Sequence, residues 1–313
     1  MQPETLHEDA HHRITRFSAA GGSRRAVVGF EHGRDRMAGF APPQPPGFAR
    51  ALGIDALVVQ TARRDWFISP GSPALAGALA VASRGYAEVV ATGFSMGGYA
   101  ALLYSAACRA SRLMLVSPQY SIDPDIAPFD PDRHGKFARI GLPMPRPETW
   151  GNTAVEGVLI HDPAIRADRA HAALIRAAFL RLTPVALPHG GHPATGVIGA
   201  VGGIGRIAQA LVEDRLEAQA IRRAHREARR RAECYRLNLA AAALARHPDR
   251  ALAELRNLAR HGSPRNRFEA GLHLLAAGDL AAAGPLSQLL ATGGAIPATW
   301  QRRIERALRA AGV

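Results

Sequence analysis

The chain has 313 residues, of which 47% are hydrophobic, enough for one large core together with a smaller one. Its formal net charge is +13, but the basic residues are arginines except for Lys136, a bias spread along the whole chain. We therefore expect no nucleic-acid partner. Two cysteines, Cys108 and Cys234, exclude a disulfide framework. No window resembles a signal peptide or a membrane span, so we expect a cytoplasmic location.

The N-terminal 24 residues are polar and rich in histidine. They predict an irregular lead-in, with His7, His11 and His12 in a solvated tail rather than around a metal ion. No zinc spacing, phosphate-binding loop or dinucleotide fingerprint occurs anywhere in the sequence. We accordingly expect neither a metal nor a cofactor.

From residue 25 onward, short apolar runs alternate with helical patterns. The runs predict six strands, at 25–30, 54–61, 88–92, 112–117, 156–161 and 184–188. Helices are predicted between several of these strands, at 74–84, 99–108 and 168–180. Each alternation corresponds to a βαβ crossover, so the fold class is α/β with a mostly parallel sheet flanked by helices.

The third predicted strand runs directly into Gly-Phe-Ser-Met-Gly, residues 93–97, a G-x-S-x-G motif centred on Ser95. A small-residue helical pattern follows the motif. The glycines are needed because a side chain on either side of a tight strand-to-helix turn would collide with its neighbours. The turn would raise the Ser95 hydroxyl above the sheet at the positive end of the helix. The amide of Met96 would then point to where an oxyanion forms.

Acid and base candidates follow Ser95 in the order Ser, Asp, His. Asp162-Pro163 ends the fifth predicted strand, and Gly190-Gly191-His192 follows the sixth. Strand, motif and order resemble the α/β-hydrolase superfamily over about residues 25–210. The resemblance implies that Ser95, Asp162 and His192 form a catalytic triad. Asp168 remains the alternative acid and His189 the alternative base.

Further site residues come from the loops at strand ends. His32-Gly33 follows the first predicted strand, where the superfamily supplies its second oxyanion donor, so Glu31 and His32 are candidates. An ordinary turn is the competing interpretation. Trp66 and Tyr120 follow the second and fourth predicted strands. Because ligands collect at the carboxyl ends of parallel strands, we expect both to line the substrate pocket.

A long Pro/Asp-rich segment, residues 118–152, has no periodicity. A structureless stretch of this length inside a compact domain is usually functional. It falls where the superfamily carries a cap, so we predict a lid that sets specificity.

Beyond residue 195 the patterns are helical. We assign 25–210 to a hydrolase domain and 211–313 to a helical C-terminal domain. Helix pairs are predicted at 232–247 with 249–261 and at 265–277 with 279–291, an offset near that of tetratricopeptide-like repeats. Residues 231–313 would bind a protein partner or self-associate and be dispensable for the chemistry. The arginine-rich run 222–231 predicts a solvated helix face, with a polyanion contact as the alternative.

These features predict a serine hydrolase that cleaves an ester or thioester through an acyl-Ser95 intermediate. Its substrate would be a small-molecule or carrier-bound acyl ester. Two alternatives remain. The same triad would serve an acyltransferase with a sugar or peptide acceptor, whereas a hydrolase-fold adaptor would bind partners through its helical tail without turnover.

Overall fold

A computed structural model describes residues 1–34, 37–214, 216–291 and 297–312. Its centre is an eight-stranded sheet, with strands in the order β1-β2-β4-β3-β5-β6-β7-β8. The strands are β1 Pro3–Glu8, β2 His12–Phe17, β3 Arg25–Phe30, β4 Asp55–Thr61, β5 Glu88–Phe94, β6 Arg112–Val116, β7 Glu156–His161 and β8 Leu182–Ala186. Strands β3 to β8 pair in parallel, so the sheet is mostly parallel and of the α/β-hydrolase type.

The expected irregular lead-in is wrong, because β1 and β2 form an antiparallel hairpin whose second strand pairs with β4. His12, Ile14 and Phe17 are buried against the sheet, whereas Arg13 and Arg16 are half-buried. Arg16 forms an ion pair with Glu4 on the outer strand. The polar composition therefore reflects a charged edge hairpin, since edge strands carry charges that discourage pairing with other chains.

Helices cover both faces of the sheet. They are α1 Gly47–Leu52, α2 Ser72–Ser83, α3 Met96–Leu103, α4 Pro131–Ile140, α5 Pro147–Trp150, α6 Arg166–Ala178, α7 Gly196–Gly199, α8 Ile204–Val212 and α9 Ala218–Ala228. Buried side chains of α2, α3 and α6 share one core cluster with the strands, and those of α8 and α9 share another. Alternate strand residues feed the two clusters, as expected for a sheet buried on both faces.

The segment 118–152 differs from the expected structureless loop, because it contains α4 and the short α5. Its first part is buried, and Tyr99 Oη donates a hydrogen bond to the carbonyl of Pro145 at 2.7 Å. No residue of α4 itself is buried. The segment is thus tied to helix α3 through Tyr99, while α4 lies on the surface.

A helical region follows, made of α10 Glu233–Ala243, α11 Pro248–His261, α12 Pro264–Ala276, the 3₁₀ helix Leu280–Ala282, α13 Ala283–Ala291 and α14 Ala298–Ala311. These helices share a separate apolar cluster that includes Leu255, Phe268 and Leu286. The sheet is therefore followed by an all-helical region, as the sequence predicts. Within the described residues, no helix combines the length and apolar character needed to cross a membrane.

Candidate active site

Ser95 occupies the turn between β5 and α3, with φ 52° and ψ −118°. A non-glycine residue in this region is strained, and such strain is typical of a nucleophile elbow. A Cβ on Gly93 would overlap the backbone of Gly97, and one on Gly97 would lie 2.8 Å from the carbonyl oxygen of Glu31. The two glycines of the motif are therefore required by close backbone packing, which is the reason the sequence suggested.

Strained backbone recurs around this turn. Trp66, Ser117 and His189 have φ values of 55°, 45° and 59°. They follow β4, β6 and β8, and Ser95 follows β5, so all four lie beyond the carboxyl ends of parallel strands. Strained residues concentrate at functional sites when the surrounding structure holds them in place. This edge of the sheet is also where ligands bind in open α/β folds.

His192 links the serine to an acid. Its Nε2 atom lies 2.9 Å from Ser95 Oγ, and its Nδ1 atom lies 3.0 Å and 3.3 Å from the two carboxylate oxygens of Asp168. Asp168 is 3% exposed, so this carboxylate is shielded from water. The three side chains form a continuous relay in which a proton on Nδ1 leaves Nε2 free to accept the Ser95 proton.

The predicted hydrogen bond between Asp162 and His192 is wrong, because both oxygens of Asp162 face backbone amides. Oδ1 accepts from the amides of Ala164 and His189 at 2.9 and 3.1 Å, and Oδ2 accepts from that of Gly191 at 2.9 Å. Asp162 thereby fixes the loop that carries His192. Asp168 is the third residue of α6 rather than its cap, and its carboxylate contacts His192.

His189, the alternative base, points elsewhere. Its ring lies edge-on to Tyr235 of α10, with centroids 5.9 Å apart. Its carbonyl oxygen accepts a hydrogen bond of 3.1 Å from Nδ2 of Asn238. The contact with Ser95 Oγ is made by His192. His189 therefore connects the loop that carries His192, residues 189–193 and called the histidine loop below, with the helical region α10–α14.

Gln119, which the sequence analysis did not single out, contacts the Ser95 hydroxyl. Its Nε2 atom lies 3.2 Å from Ser95 Oγ and 3.3 Å from the carbonyl oxygen of Ser117. The indole of Trp66 donates to its Oε1 atom at 3.1 Å. Gln119 is fully buried, and its Oε1 atom also lies 3.4 Å from Ser95 Oγ, so both ends of the amide are within hydrogen-bond distance of the hydroxyl, with the nitrogen nearer. A single glutamine belongs to no recognisable sequence motif. Its position just after β6 could nevertheless have marked it as a residue at the ligand-binding edge of the sheet.

The candidate oxyanion donors differ in their availability. Met96 is the first residue of α3, where backbone amides have no acceptor within the helix. The amide of Glu31 instead donates to the carbonyl of Val59 at 2.9 Å, so it is committed to the sheet. His32 is exposed in the loop after β3. Of the predicted pair Glu31 and His32, only the amide of His32 can still turn toward a ligand.

Trp66 and Tyr120 are both buried beside the site, with 1% and 6% exposure. Trp66 is linked to Ser95 through Gln119. Tyr120 Oη donates to Glu148 at 2.7 Å, and burial together with this carboxylate raises the pKa of the phenol. The two aromatic residues therefore support the residues around Ser95 more than they line an open pocket.

Cationic side chains stand above this edge of the sheet. Lys136 of α4 is half-buried, and its pKa is lowered to about 8, first by this partial loss of hydration and then by the charges of Arg64 and Arg133. Arg64 itself packs against Gly33, where an added Cβ would lie 2.8 Å from the guanidinium Nε atom. Within the described residues, no group of three or more His, Cys, Asp or Glu side chains is arranged to hold a metal ion.

Comparison with known proteins adds likenesses of fold. No protein-family model matches the chain, and no curated protein matches it significantly. Among solved structures it is similar to Est1E from Butyrivibrio proteoclasticus, at 15% identity over 70% of this chain and 100% of that one, with a TM-score of 0.46. It is also similar to the capsule O-acetyltransferase of Neisseria meningitidis serogroup A, at 10% identity over 64% and 93% of the two chains, with a TM-score of 0.45. A putative hydrolase from Agrobacterium vitis S4 has 16% identity over 71% and 97%, with a TM-score of 0.39. Likenesses this distant do not transfer an activity.

Proposed function

We propose that this protein is a serine hydrolase that cleaves an ester or thioester through an acyl-Ser95 intermediate. The observation that carries the proposal is the position of His192, which hydrogen-bonds Ser95 on one ring nitrogen and Asp168 on the other. Asp168 replaces Asp162 as the acid of the proposed triad. Asp162 becomes a residue that holds the histidine loop through two backbone amides, those of His189 and Gly191.

In the acylation step, the Ser95 proton moves to His192 Nε2 as Oγ attacks the substrate carbonyl carbon. The carbonyl oxygen becomes an oxyanion, which the amide of Met96 faces from the start of α3. Asp168 stabilises the imidazolium that forms and holds its Nδ1 proton in place. His192 then donates the Nε2 proton to the leaving oxygen or sulfur, the bond from carbon to that atom breaks, and the acyl group stays on Ser95.

In the deacylation step, water replaces the departed alcohol or thiol. His192 Nε2 accepts a proton from the water, and the resulting hydroxide attacks the acyl carbonyl carbon. The second tetrahedral intermediate collapses as the proton passes to Ser95 Oγ, which releases the carboxylic acid. No cofactor is required for either step.

The Gln119 amide is a second group aimed at this reaction. Its Nε2 atom lies 3.2 Å from Ser95 Oγ, on a side chain that Trp66 orients. A donor so close to the attacking oxygen restrains the serine rotamer before attack. We propose it as a positioning residue for the nucleophile.

Acyl transfer to a sugar or peptide acceptor is the alternative that keeps this chemistry, since an acceptor hydroxyl would simply take the place of water. The adaptor alternative predicts no turnover. It leaves unexplained why a strained Ser95, a histidine and a buried acid should stand within hydrogen-bond distance of one another.

Fluorophosphonate labelling tests the proposal, because only an activated serine reacts with this probe at a useful rate. We expect the wild type to be labelled on Ser95 and Ser95→Ala to be unlabelled while retaining its circular dichroism spectrum. Ser111→Ala is the control and should stay labelled, since Ser111 is an exposed serine directly before β6. Equal labelling of wild type and Ser95→Ala would reject the proposal.

A further inference from the structure

A cleft of about 580 Å³ separates the histidine loop from the helical region. One wall is made by the loop itself, Gly190 to Pro193, and by the exposed Ala200 at the end of α7. The other wall is made by side chains of α10 and α12, including Asn238, Arg265 and Asn266. The cleft therefore adjoins His192 on one side and belongs to the helical region on the other.

The helical region is fixed against this loop by specific contacts. Asn238 Nδ2 donates to the carbonyl of His189 at 3.1 Å, and the Tyr235 ring lies between His189 and His225 at 5.9 Å from each. Val197 of α7 shares a small buried cluster with Ala228 and Ala232. The walls of the cleft thus keep a defined relation to each other, as a binding site requires.

The position of the cleft sets which half of a substrate it can hold. In the proposed reaction, His192 Nε2 gives its proton to the leaving group and later takes one from the acceptor. The His192 side chain is 27% exposed, and the cleft reaches it. The alcohol half of the ester, which leaves with the proton from His192, therefore lies next to His192 and toward the cleft.

The helical wall carries ordered polar side chains beside the apolar side chains of Cys234 and Leu237. Glu233 Oε2 accepts from the Ser263 amide at 2.8 Å and from Asn266 Nδ2 at 2.9 Å. Glu269 is held by Arg303 through two hydrogen bonds of 2.7 and 2.8 Å. An aliphatic chain in this place would remove water from these polar groups without replacing their hydrogen bonds, which is costly. Hydroxyl or amide groups can replace that water.

From the cleft between the histidine loop and the helical region, we infer that this protein acts on esters whose alcohol half is hydrophilic and rich in hydroxyl groups, such as an O-acylated sugar. The inference rests on the proposed serine hydrolase function and narrows its substrate class. It also gives the helical region a direct role in specificity, because that region supplies the wall that the alcohol contacts.

The test compares two acetate esters that differ only in the alcohol, methyl 6-O-acetyl-glucoside and n-hexyl acetate. We expect the wild type to favour the sugar ester in kcat/KM by about tenfold or more, equivalent to about 1.4 kcal/mol. Arg265→Trp would fill the cleft from the helical wall and Ala200→Trp from the opposite wall. Each should lower the ratio of the two kcat/KM values about tenfold, mainly through KM for the sugar ester.

Arg260→Trp is the matched control, because Arg260 is an equally exposed arginine of α11 that does not line the cleft. It should leave both kcat/KM values within about twofold of the wild type. A wild-type ratio near one, or a ratio unchanged in both cleft variants, would overturn the inference even if Ser95 is labelled and both esters are cleaved. If the wild type cleaves neither ester and Ser95 is unlabelled, the serine hydrolase proposal itself fails.

Discussion

His192 Nδ1 lies 3.0 Å from Oδ1 of Asp168, a residue of helix α6 rather than of the strand end where an acid was expected. Asp162 lies at that strand end, but its carboxylate accepts hydrogen bonds from amides of the histidine loop. The two aspartates therefore have separable roles. One orients the imidazole, and the other orients the loop that carries it.

Substituting each aspartate separates these roles. Asp168→Asn should lower kcat by about 10⁴-fold with little loss of stability, because the amide N–H can donate to Nδ1 and shift the ring proton to Nε2, which then cannot accept the Ser95 proton. Asp162→Asn should mainly cost stability, about 1 to 3 kcal/mol, since its Nδ2 would face the Gly191 amide or leave it unpaired. Steady-state kinetics and thermal unfolding of both variants make the comparison. A severe kinetic defect in Asp162→Asn with a mild one in Asp168→Asn would restore the first assignment.

Gln119 offers a second kinetic test. Gln119→Leu removes the donor 3.2 Å from Ser95 Oγ and also leaves the Trp66 indole without its acceptor. We expect kcat to fall about 10- to 100-fold with KM little changed, as for loss of a group that positions a reacting atom. Gln119→Glu keeps the acceptor for Trp66 but places a carboxylate oxygen beside Ser95 Oγ. If Gln119→Glu retains full activity, the amide donor is unnecessary and the positioning role is wrong.

The parallel sheet and its elbow were predictable from sequence, whereas the acid and Gln119 were not. Runs such as 25–30 and 112–117 are mostly apolar, which predicts buried strands from the local sequence alone. Gly93 and Gly97 predict a tight turn for a steric reason that is also local. The contact between Asp168 and His192 depends instead on where α6 begins relative to the end of β8. This is a tertiary relationship, and no local sequence pattern predicts it. The hairpin of β1 and β2 was missed because its buried residues alternate with arginines at a sheet edge.

The contact between the helical region and the histidine loop modifies the expectation that this region is dispensable. Asn238→Ala removes the hydrogen bond to the His189 carbonyl, so we expect kcat to fall about three- to tenfold through a less ordered loop, with KM for n-hexyl acetate nearly constant. Asn257→Ala is the matched control, on α11 away from the loop. A chain truncated at residue 230 should still be labelled on Ser95, but more slowly. Labelling at the full rate would show that the contact has no influence on the chemistry.

Asp65 predicts a pH dependence of stability. Burial raises the pKa of its carboxyl from 3.8 to about 6, although Thr61 Oγ1 and the Phe67 amide donate to it. A raised folded-state pKa means that ionisation opposes folding. Ionised Asp65 therefore lowers the free energy of unfolding by an amount on the order of 2 to 3 kcal/mol. This loss is present in full above pH 6 and shrinks as the pH falls toward 3.8.

Asp65→Asn removes this titration while keeping an acceptor for both donors. Denaturant unfolding between pH 4 and 8 should show that the stability of the variant relative to the wild type rises with pH up to about pH 6 and then levels. Asp125→Asn, which changes an exposed carboxylate, should show no such trend. A constant difference between wild type and Asp65→Asn across this range would mean that Asp65 titrates as it does in water.

The covalent intermediate is the most direct test of the central claim that Ser95, His192 and Asp168 form a working triad. Wild-type protein mixed with p-nitrophenyl acetate, quenched rapidly in acid and digested, should yield a peptide containing Ser95 that is heavier by one acetyl group. His192→Ala should not accumulate this species on the same time scale, because its serine has no base to accept the proton. Nitrophenolate release by the wild type without any acetyl group on Ser95, or acetylation of another residue at the rate of turnover, would contradict the account.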